Sequence, residues 1–348
     1  MLRIGTDCSG IEAPVQALQQ LKIPFKHVFS CEKDSYAVKS IKANYTPEKM
    51  YTDITKRKHT LLPDMDVYVC GFPCQPFSLM GNKMGTDDAR SNIMYQCIKV
   101  IKKKLPKIFI LENVKNFKFI QNGQPFQYLI NELTKIKATT CGADANACDA
   151  NACDANACDA NACDANACDA NACDANACDA NAYNIYHEIL NTKDYGIPQN
   201  RERIFIIGIL KDIQKKDCVY STPEKIQMKP LDDFIIDKTV NVDFKPPNTI
   251  LKKLKKIHNA KNYICCCDTY SIMYNMSSTL TASGCGYMYH TSYNRYLSYK
   301  ECLLLQGFNS DFKNVISMTQ MYKQIGNSMS VNVLKEIFKR IFSITNIL

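Results

Sequence analysis

Cys74 stands in a setting suited to covalent chemistry. It lies between Pro73 and Pro76 in the run GFPCQPFS, residues 71–78, directly after the apolar stretch DVYVCG, residues 66–71. β-Branched and aromatic residues closed by glycine read as a short buried strand. The thiol then sits on the turn at a strand exit, where an open α/β sheet presents its ligand crevice. The prolines stiffen the backbone around the sulfur, and a thiolate is a strong nucleophile when it is held in place and shifted toward ionisation. The plain alternative is an inert buried thiol. Glu112 follows another apolar run, residues 107–111, in the sequence LENV, and so also falls at a strand end. Gln199, Arg201 and Arg203 alternate in QNRER ahead of the apolar run 204–210. Side chains two apart share one face of an extended segment, where two guanidiniums can steer a base, a phosphate or a carboxylate.

Such residues need a scaffold that brings strand ends together. Strand-like and helix-like segments alternate along the first part of the chain: 2–6 then 13–21, 27–30 then 35–44, 66–71 then 92–104, and 107–111 then 124–137. That order predicts an α/β fold with a parallel, doubly wound sheet covered by helices on both faces. The first strand runs into the turn TDCSGIE, residues 6–12, where Gly10 allows close approach of a cofactor. The second ends near Glu32, placed to accept hydrogen bonds from a ribose. Toward the C-terminus, Ser298 and Glu301 form a capping box for a helix that ends at QGF, residues 306–308. QIGNSMSV, residues 324–331, leads into a terminal helix over 332–344.

PCQPFS at 73–78 strongly resembles the nucleophile loop of the cytosine-5 DNA methyltransferases, and further matches follow in order. Glu112-Asn113-Val114 resembles the family's catalytic ENV motif, and Gln199, Arg201 and Arg203 match its Q-x-R-x-R. QGF and the GNS of residues 326–328 resemble its last two motifs. The resemblance spans residues 2–210, apart from a repeat described below, and residues 279–344. It implies a Rossmann-like, S-adenosylmethionine-dependent methyltransferase sheet with a second, smaller and irregular target-recognition domain. It implies catalytic roles for Cys74, Glu112, Arg203, Arg201 and Gln199. S-adenosylmethionine would be bound by Cys8, Ser9, Gly10 and Ile11 of the first turn, and by Glu32 and Lys33. Asp53, with Ile54 beside it, resembles the family's adenine-contacting acid. Phe72 and Pro73 before the nucleophile and Asn327 and Ser328 of GNS would complete the pocket. The first turn departs from the family's usual F-x-G-x-G-G: Cys8 replaces the aromatic residue, and Glu12 and Ala13 replace the last two glycines.

The expected organisation is a catalytic and cofactor-binding domain over 1–210, a target-recognition domain over 211–290, and a segment over 291–348 that returns to the first domain. Residues 211–278 carry Pro223, Pro230, Pro246 and Pro247, the basic run KKLKK at 252–256 and several tyrosines. That composition fits a small, irregular, basic domain, and the resemblance implies that this slot reads base edges in the major groove. From Cys148 to Ala182 the chain repeats CDANA seven times. A period of five advances about 140° per unit on a helix and flips faces on a strand, so neither element gains an apolar stripe. A pentapeptide solenoid needs a large apolar residue in each unit, and these units offer only Ala or Cys. Residues 138–182 therefore read as a low-complexity, disordered insertion. A helix precedes it and a strand follows it, which predicts a position on the sheet edge opposite the active site.

Charge and cysteine usage narrow the partners. The 348 residues carry a net charge of +9. Outside 138–182, 43 basic side chains face 26 acidic ones, a net charge of +17. That surplus favours a polyanion such as double-stranded DNA. Of nineteen cysteines seven lie in the repeat, and the others form no C-x-x-C pair, so reduced thiols and no structural metal are expected. Cys265, Cys266 and Cys267 are adjacent and cannot converge on one ion from a strand. No apolar run is long enough for a membrane span, and the N-terminus begins a strand where a signal peptide would need a longer apolar region. The expectation is a monomeric intracellular enzyme, cytoplasmic or nuclear, with a cognate restriction nuclease as a candidate partner. It would methylate carbon 5 of a flipped cytosine through a Cys74 adduct. The alternatives are a transfer-RNA cytosine-5 methylase of the same fold and a noncatalytic DNA-binding or scaffold protein.

Overall fold

The computed structural model describes residues 1–73, 91–138 and 181–348. The chain opens with β1 (Leu2–Asp7), α1 (Ala13–Gln20), β2 (Phe25–Cys31), α2 (Ser35–Asn44) and the short β3 (Met50–Tyr51). β4 (Val67–Cys70), α3 (Ser91–Lys104), β5 (Ile108–Val114) and α4 (Gln124–Thr134) follow, then β6 (Tyr183–Asn191), β7 (Gln199–Asn200) and β8 (Glu202–Leu210). The remainder forms α5 (Asn248–Leu254), β9 (Tyr263–Cys266), β10 (Ser271–Tyr274), β11 (Ser277–Ser278), β12 (Met288–His290) and β13 (Arg295–Tyr296). Three helices close the chain: α6 (Tyr299–Leu305), α7 (Met318–Asn327) and α8 (Val331–Ser343).

Seven strands make one sheet in the order β3-β2-β1-β4-β5-β8-β6. Its strands are apolar on both faces because both are covered. Val67, Val69, Ile108, Ile110, Ile207 and Ile209 join a core shared with α1 and α8. Their alternates Tyr68, Cys70, Phe109, Leu111, Ile204 and Ile206 join a second core with α3 and α4. Strands buried on two faces read as unbroken apolar runs, which is why the sequence marks them so clearly. The sheet is doubly wound as expected but not wholly parallel: β8 runs antiparallel to both β5 and β6. Only residues 192–201 join β6 to β8, whereas a parallel return needs a crossover of about a dozen residues or more.

A second, antiparallel sheet of order β10-β9-β12-β13 covers part of residues 263–296. Phe244 stacks on Tyr289 at 5.6 Å and meets Tyr296 edge-on at 4.8 Å, over a small core that holds Cys265. Cys266 faces the main core instead, as alternation along a strand requires. After β13 the capping box forms: Ser298 Oγ accepts the Glu301 N–H at 3.3 Å, and Glu301 Oε2 accepts the Ser298 N–H at 2.8 Å. α8 then packs back on α1.

Most of the insertion, residues 139–180, lies outside the described residues, but the residues flanking that stretch are held. Lys137 bridges to Asn181, and the Ala182 N–H donates to the Ile136 carbonyl at 2.8 Å. Ala182 O accepts from Lys211 N at 3.0 Å, and Leu210 N donates to Lys107 O at 2.9 Å. Lys107 precedes β5, so this is the edge where β5 begins, and Glu112 is at its far end. Replacing 139–180 by a short Gly-Ser linker should leave turnover and S-adenosylmethionine affinity within about threefold of the parent, ~0.7 kcal/mol, because loop-closure entropy changes only logarithmically with length. Steady-state kinetics and calorimetry check this. A folded variant with turnover down about a hundredfold would make the repeat a working part of the enzyme.

Candidate active site

β4 and β5 lie side by side in parallel, with Cys70 opposite Leu111, so the chain leaves β4 at Gly71 level with Glu112, where β5 is still paired with β8. A Cβ on Gly71 would lie 3.4 Å from Glu112 Oε2 and 2.8 Å from Met329 Cε, so glycine gives the carboxylate its place. Asn113 Nδ2 donates to the Phe72 carbonyl at 3.0 Å, and the Phe72 ring meets Phe117 edge-on at 5.2 Å. The segment that continues to Cys74 is therefore tied down at Phe72. Cys74 itself lies outside the described residues.

On the other side of β5, the antiparallel register sets Arg203 opposite Val114. Its Nε lies 3.2 Å from Glu112 Oε1, both side chains being largely buried. Burial raises the Glu112 pKa, and the charges of Arg203 and then Arg201 pull it back down. Burial lowers the pKa of Arg203, with Glu112 opposing. A carboxyl biased toward its protonated form and steered by a fixed cation can give a proton or hydrogen bond to a ring nitrogen.

A cavity of about 530 Å³ reaches from this pair to the first turn. Gly10 has φ +54°, and a Cβ there would meet no described protein atom within 4 Å, so the turn faces open space. Its N–H donates to Glu32 Oε2 at 2.8 Å, and the Asp34 N–H donates to Glu32 Oε1 at 2.9 Å. Burial raises the Glu32 pKa against those backbone donors. Burial also acts to raise that of Asp53, but hydrogen bonds from Thr55 and the charge of Lys33 outweigh it and hold Asp53 below the usual carboxylate range. Cys8, Lys33 and Ile54 line the same side; Phe72, Pro73, Arg201 and Asn327 complete the wall. Two carboxylates with lone pairs to spare, an apolar side chain at Ile54 and a glycine turn fit the ribose, adenine and amino-acid parts of S-adenosylmethionine.

Four expected site residues stand behind the cavity wall. Ile11 is fully buried in the main core. Ser9 Oγ accepts the Cys31 N–H at 3.2 Å and so holds the turn to β2. Gln199 is fully buried: its Nε2 donates to Leu305 O and Gln306 Oε1, both at 2.7 Å, and its Oε1 accepts the Leu280 N–H at 3.1 Å. Ser328 Oγ donates to Met329 O at 3.1 Å. Arg201 borders the cavity, but its Nη1 donates to Leu280 O at 2.7 Å and its Nη2 to Ser328 O at 2.6 Å and Gly326 O at 3.3 Å. Three groups that support the site had no assigned role in the sequence reading. Asn113 was visible in ENV, and Gln306 in QGF, whose Nε2 donates to Ile325 O and Ser328 O at 2.9 and 3.0 Å. Arg57, paired with buried Asp7 and lying over the rings of Phe29 and Tyr51, belongs to a loop with no periodic signal.

A doubly wound sheet with this cavity beyond the carboxyl ends of its parallel strands is the architecture in which nucleotide-bearing ligands such as S-adenosylmethionine bind. The family model described as C-5 cytosine-specific DNA methylase matches residues 7–151, 175–265 and 246–343. The type II methyltransferase M.NgoBI of Neisseria gonorrhoeae is 30% identical over 322 residues, 89% of this chain and 84% of that protein. M.HaeII of Haemophilus aegyptius is 30% identical over 330 residues, 90% of this chain and 84% of that protein. Among solved structures, the S. pombe Dnmt2 methyltransferase shares the fold with a TM-score of 0.66 at 17% identity, over 99% of both chains. The chain belongs to the C-5 cytosine-specific DNA methylases: it is a DNA cytosine-5 methyltransferase whose methyl donor is S-adenosylmethionine. Among the described residues no helix is long and apolar enough to cross a membrane.

Arg203→Ala removes the charge that most lowers the Glu112 pKa, so a carboxyl-resolved NMR titration should find the Glu112 midpoint moved to higher pH. A midpoint moved down would contradict the pairing. Arg201→Ala strands the carbonyls of Leu280, Gly326 and Ser328 and should cost about 3 kcal/mol in urea unfolding.

Proposed function

We propose that the protein methylates carbon 5 of a cytosine turned out of duplex DNA, by a covalent route through Cys74. The ring carbon is a poor nucleophile until the ring's conjugation is broken. The Cys74 thiolate adds to carbon 6, forming a C–S bond, while the displaced electron pair is accepted at ring nitrogen 3, where Glu112 gives a proton or hydrogen bond. Carbon 5 is then an enamine carbon able to take a methyl group. S-adenosylmethionine supplies, when bound, a methyl made electrophilic by its sulfonium. Transfer of the carbon 5 proton to water restores the ring double bond and expels the Cys74 thiolate, and the proton lent at nitrogen 3 returns to Glu112. Arg203 holds Glu112 and the base; Gln199 and Arg201 act behind them by fixing the chain around 280 and 326–328. Carbon 6 is out of reach in a stacked duplex, which is why the base must be extruded.

The observation that carries this reading is that the Glu112–Arg203 pair and the Gly10, Glu32 and Asp53 groups line one cavity. Cys8, Lys33, Ile54, Phe72, Pro73 and Asn327 would complete the cofactor's surroundings, with Ser9, Ile11 and Ser328 supporting them from behind. The unit after residue 210 would read the DNA sequence, and the basic surplus would bind its phosphates. Relatives named type II methyltransferases favour a modification role beside a nuclease that cuts the unmethylated site. The enzyme would act as a monomer in the cytoplasm, or in the nucleus of a eukaryotic host.

Bisulfite sequencing of DNA from expressing cells should reveal one short methylated motif, absent with Cys74→Ser. Glu112→Gln should lower kcat by about 10²–10⁴ while S-adenosylmethionine binding stays within about threefold. Near-normal turnover of the Cys74→Ser enzyme, or methylated transfer RNA with unmethylated DNA, would overturn the proposal.

A further inference from the structure

Glu12 stands where the family's usual first turn has a glycine, and its backbone is left-handed, φ +62° and ψ 47°. A glutamate adopts this conformation only against steric strain, so its side chain must be held by something. It is fully buried, and one oxygen does all the bonding. Oε1 accepts from Thr6 Oγ1 at 2.7 Å and from Ser30 Oγ at 2.5 Å. Each hydroxyl has a single proton, which fixes the direction of the rest. Ser30, having donated to Glu12, must accept from His27 Nε2 at 3.0 Å, and Thr6, having donated to Glu12, can only accept across its 2.8 Å contact with Ser9 Oγ, whose proton also has the carbonyls of Thr6 at 3.2 Å and Cys31 at 3.3 Å within reach. Ser9 Oγ in turn accepts the Cys31 N–H at 3.2 Å. Glu12 thus terminates two hydroxyl chains, one from β2 and one from the turn itself, while Oε2 has no partner among the described residues.

The residues so fixed flank the cofactor side of the cavity. Ser9 directly precedes Gly10, and Cys31 directly precedes Glu32, whose carboxylate accepts the Gly10 N–H. We infer that Glu12 is a positioning residue for S-adenosylmethionine, its buried carboxylate orienting Thr6, Ser9 and Ser30 so that the Gly10 turn and Glu32 are set before the cofactor arrives. This rests on the cavity being the S-adenosylmethionine site. Preorganisation of this kind strengthens binding without touching the reacting atoms.

The test is calorimetric titration of the full-length protein with S-adenosylhomocysteine, together with kcat at saturating S-adenosylmethionine. Glu12→Ala should weaken binding about tenfold, ~1.4 kcal/mol, with kcat within about twofold. Glu12→Gln keeps the single working oxygen and should restore Kd to within about threefold of wild type. A Glu12→Ala protein that binds within about threefold of wild type, or that loses kcat with Kd unchanged, would overturn the inference. If Glu12→Ala does not fold, Ser30→Ala decides, since it removes one hydroxyl chain and leaves the carboxylate. A loss of about threefold or more in affinity then supports the inference, and a smaller one overturns it. Wild-type protein that fails to bind S-adenosylhomocysteine at all would instead remove the site assignment beneath it.

Discussion

Glu112 and Arg203 meet at 3.2 Å because β8 returns antiparallel beside β5. The pair is largely desolvated, and removing one member of such a pair typically costs about 3–5 kcal/mol because the other is left charged and unmatched. Much of the surrounding structure keeps the two in register. Arg201, just ahead of β8, is bonded to the carbonyls of Leu280, Gly326 and Ser328, which fixes the approach of the chain to β8. Gln199 and Gln306 extend that lattice to α6 and α7. The carboxyl proposed to serve the base is thereby built on rigid elements, as a proton-transfer group must be if its reach is to stay within hydrogen-bond distance.

The half of the cavity proposed to hold the cofactor is assembled differently. Its carboxylates are held mostly by backbone donors: Gly10 and Asp34 for Glu32, Thr55 for Asp53. The two halves meet at Gly71 and Phe72, where Asn113 joins the end of β5 to the chain leaving β4. Sheet register alone brings this about, since Cys70 opposite Leu111 sets Gly71 level with Glu112. A nucleophile carried on that chain starts from a point shared by the methyl-donor side and the acid side.

Much of this was legible in the sequence. The strands of the large sheet are buried on two faces and so appear as short apolar runs, each closed by a motif with its own chemistry. Glu112, Gly10 and Glu32 could be placed because strand ends converge in a doubly wound sheet, whereas Asp53 and the role of Arg203 came from the resemblance of their motifs to the family. Strand direction was not legible at β8, because it depends on the length of a connection whose residues 192–201 carry turn signals of no fixed type. The small sheet was hidden for another reason: its strands are two to four residues long, and contacts such as Phe244 on Tyr289 come from distant parts of the chain. Arg201 and Gln199 share the alternation of Arg203, and only their partners reveal that they bind carbonyls. Glu12 was visible merely as a departure from a family pattern, since its hydroxyl partners lie on β1, β2 and the turn between β1 and α1.

The central claim is that catalysis passes through a covalent bond between Cys74 and carbon 6 of an extruded cytosine. Duplex DNA with 5-fluorocytosine in the methylated motif tests it most directly, because fluorine cannot leave carbon 5 as a proton does and the thiol is then not expelled. Incubated with the enzyme and S-adenosylmethionine, it should give a denaturant-stable protein–DNA adduct whose crosslinked peptide, by mass spectrometry, contains residues 71–78 with the modification on Cys74. No adduct under conditions where unmodified DNA is turned over, or an adduct on another residue, would contradict the account.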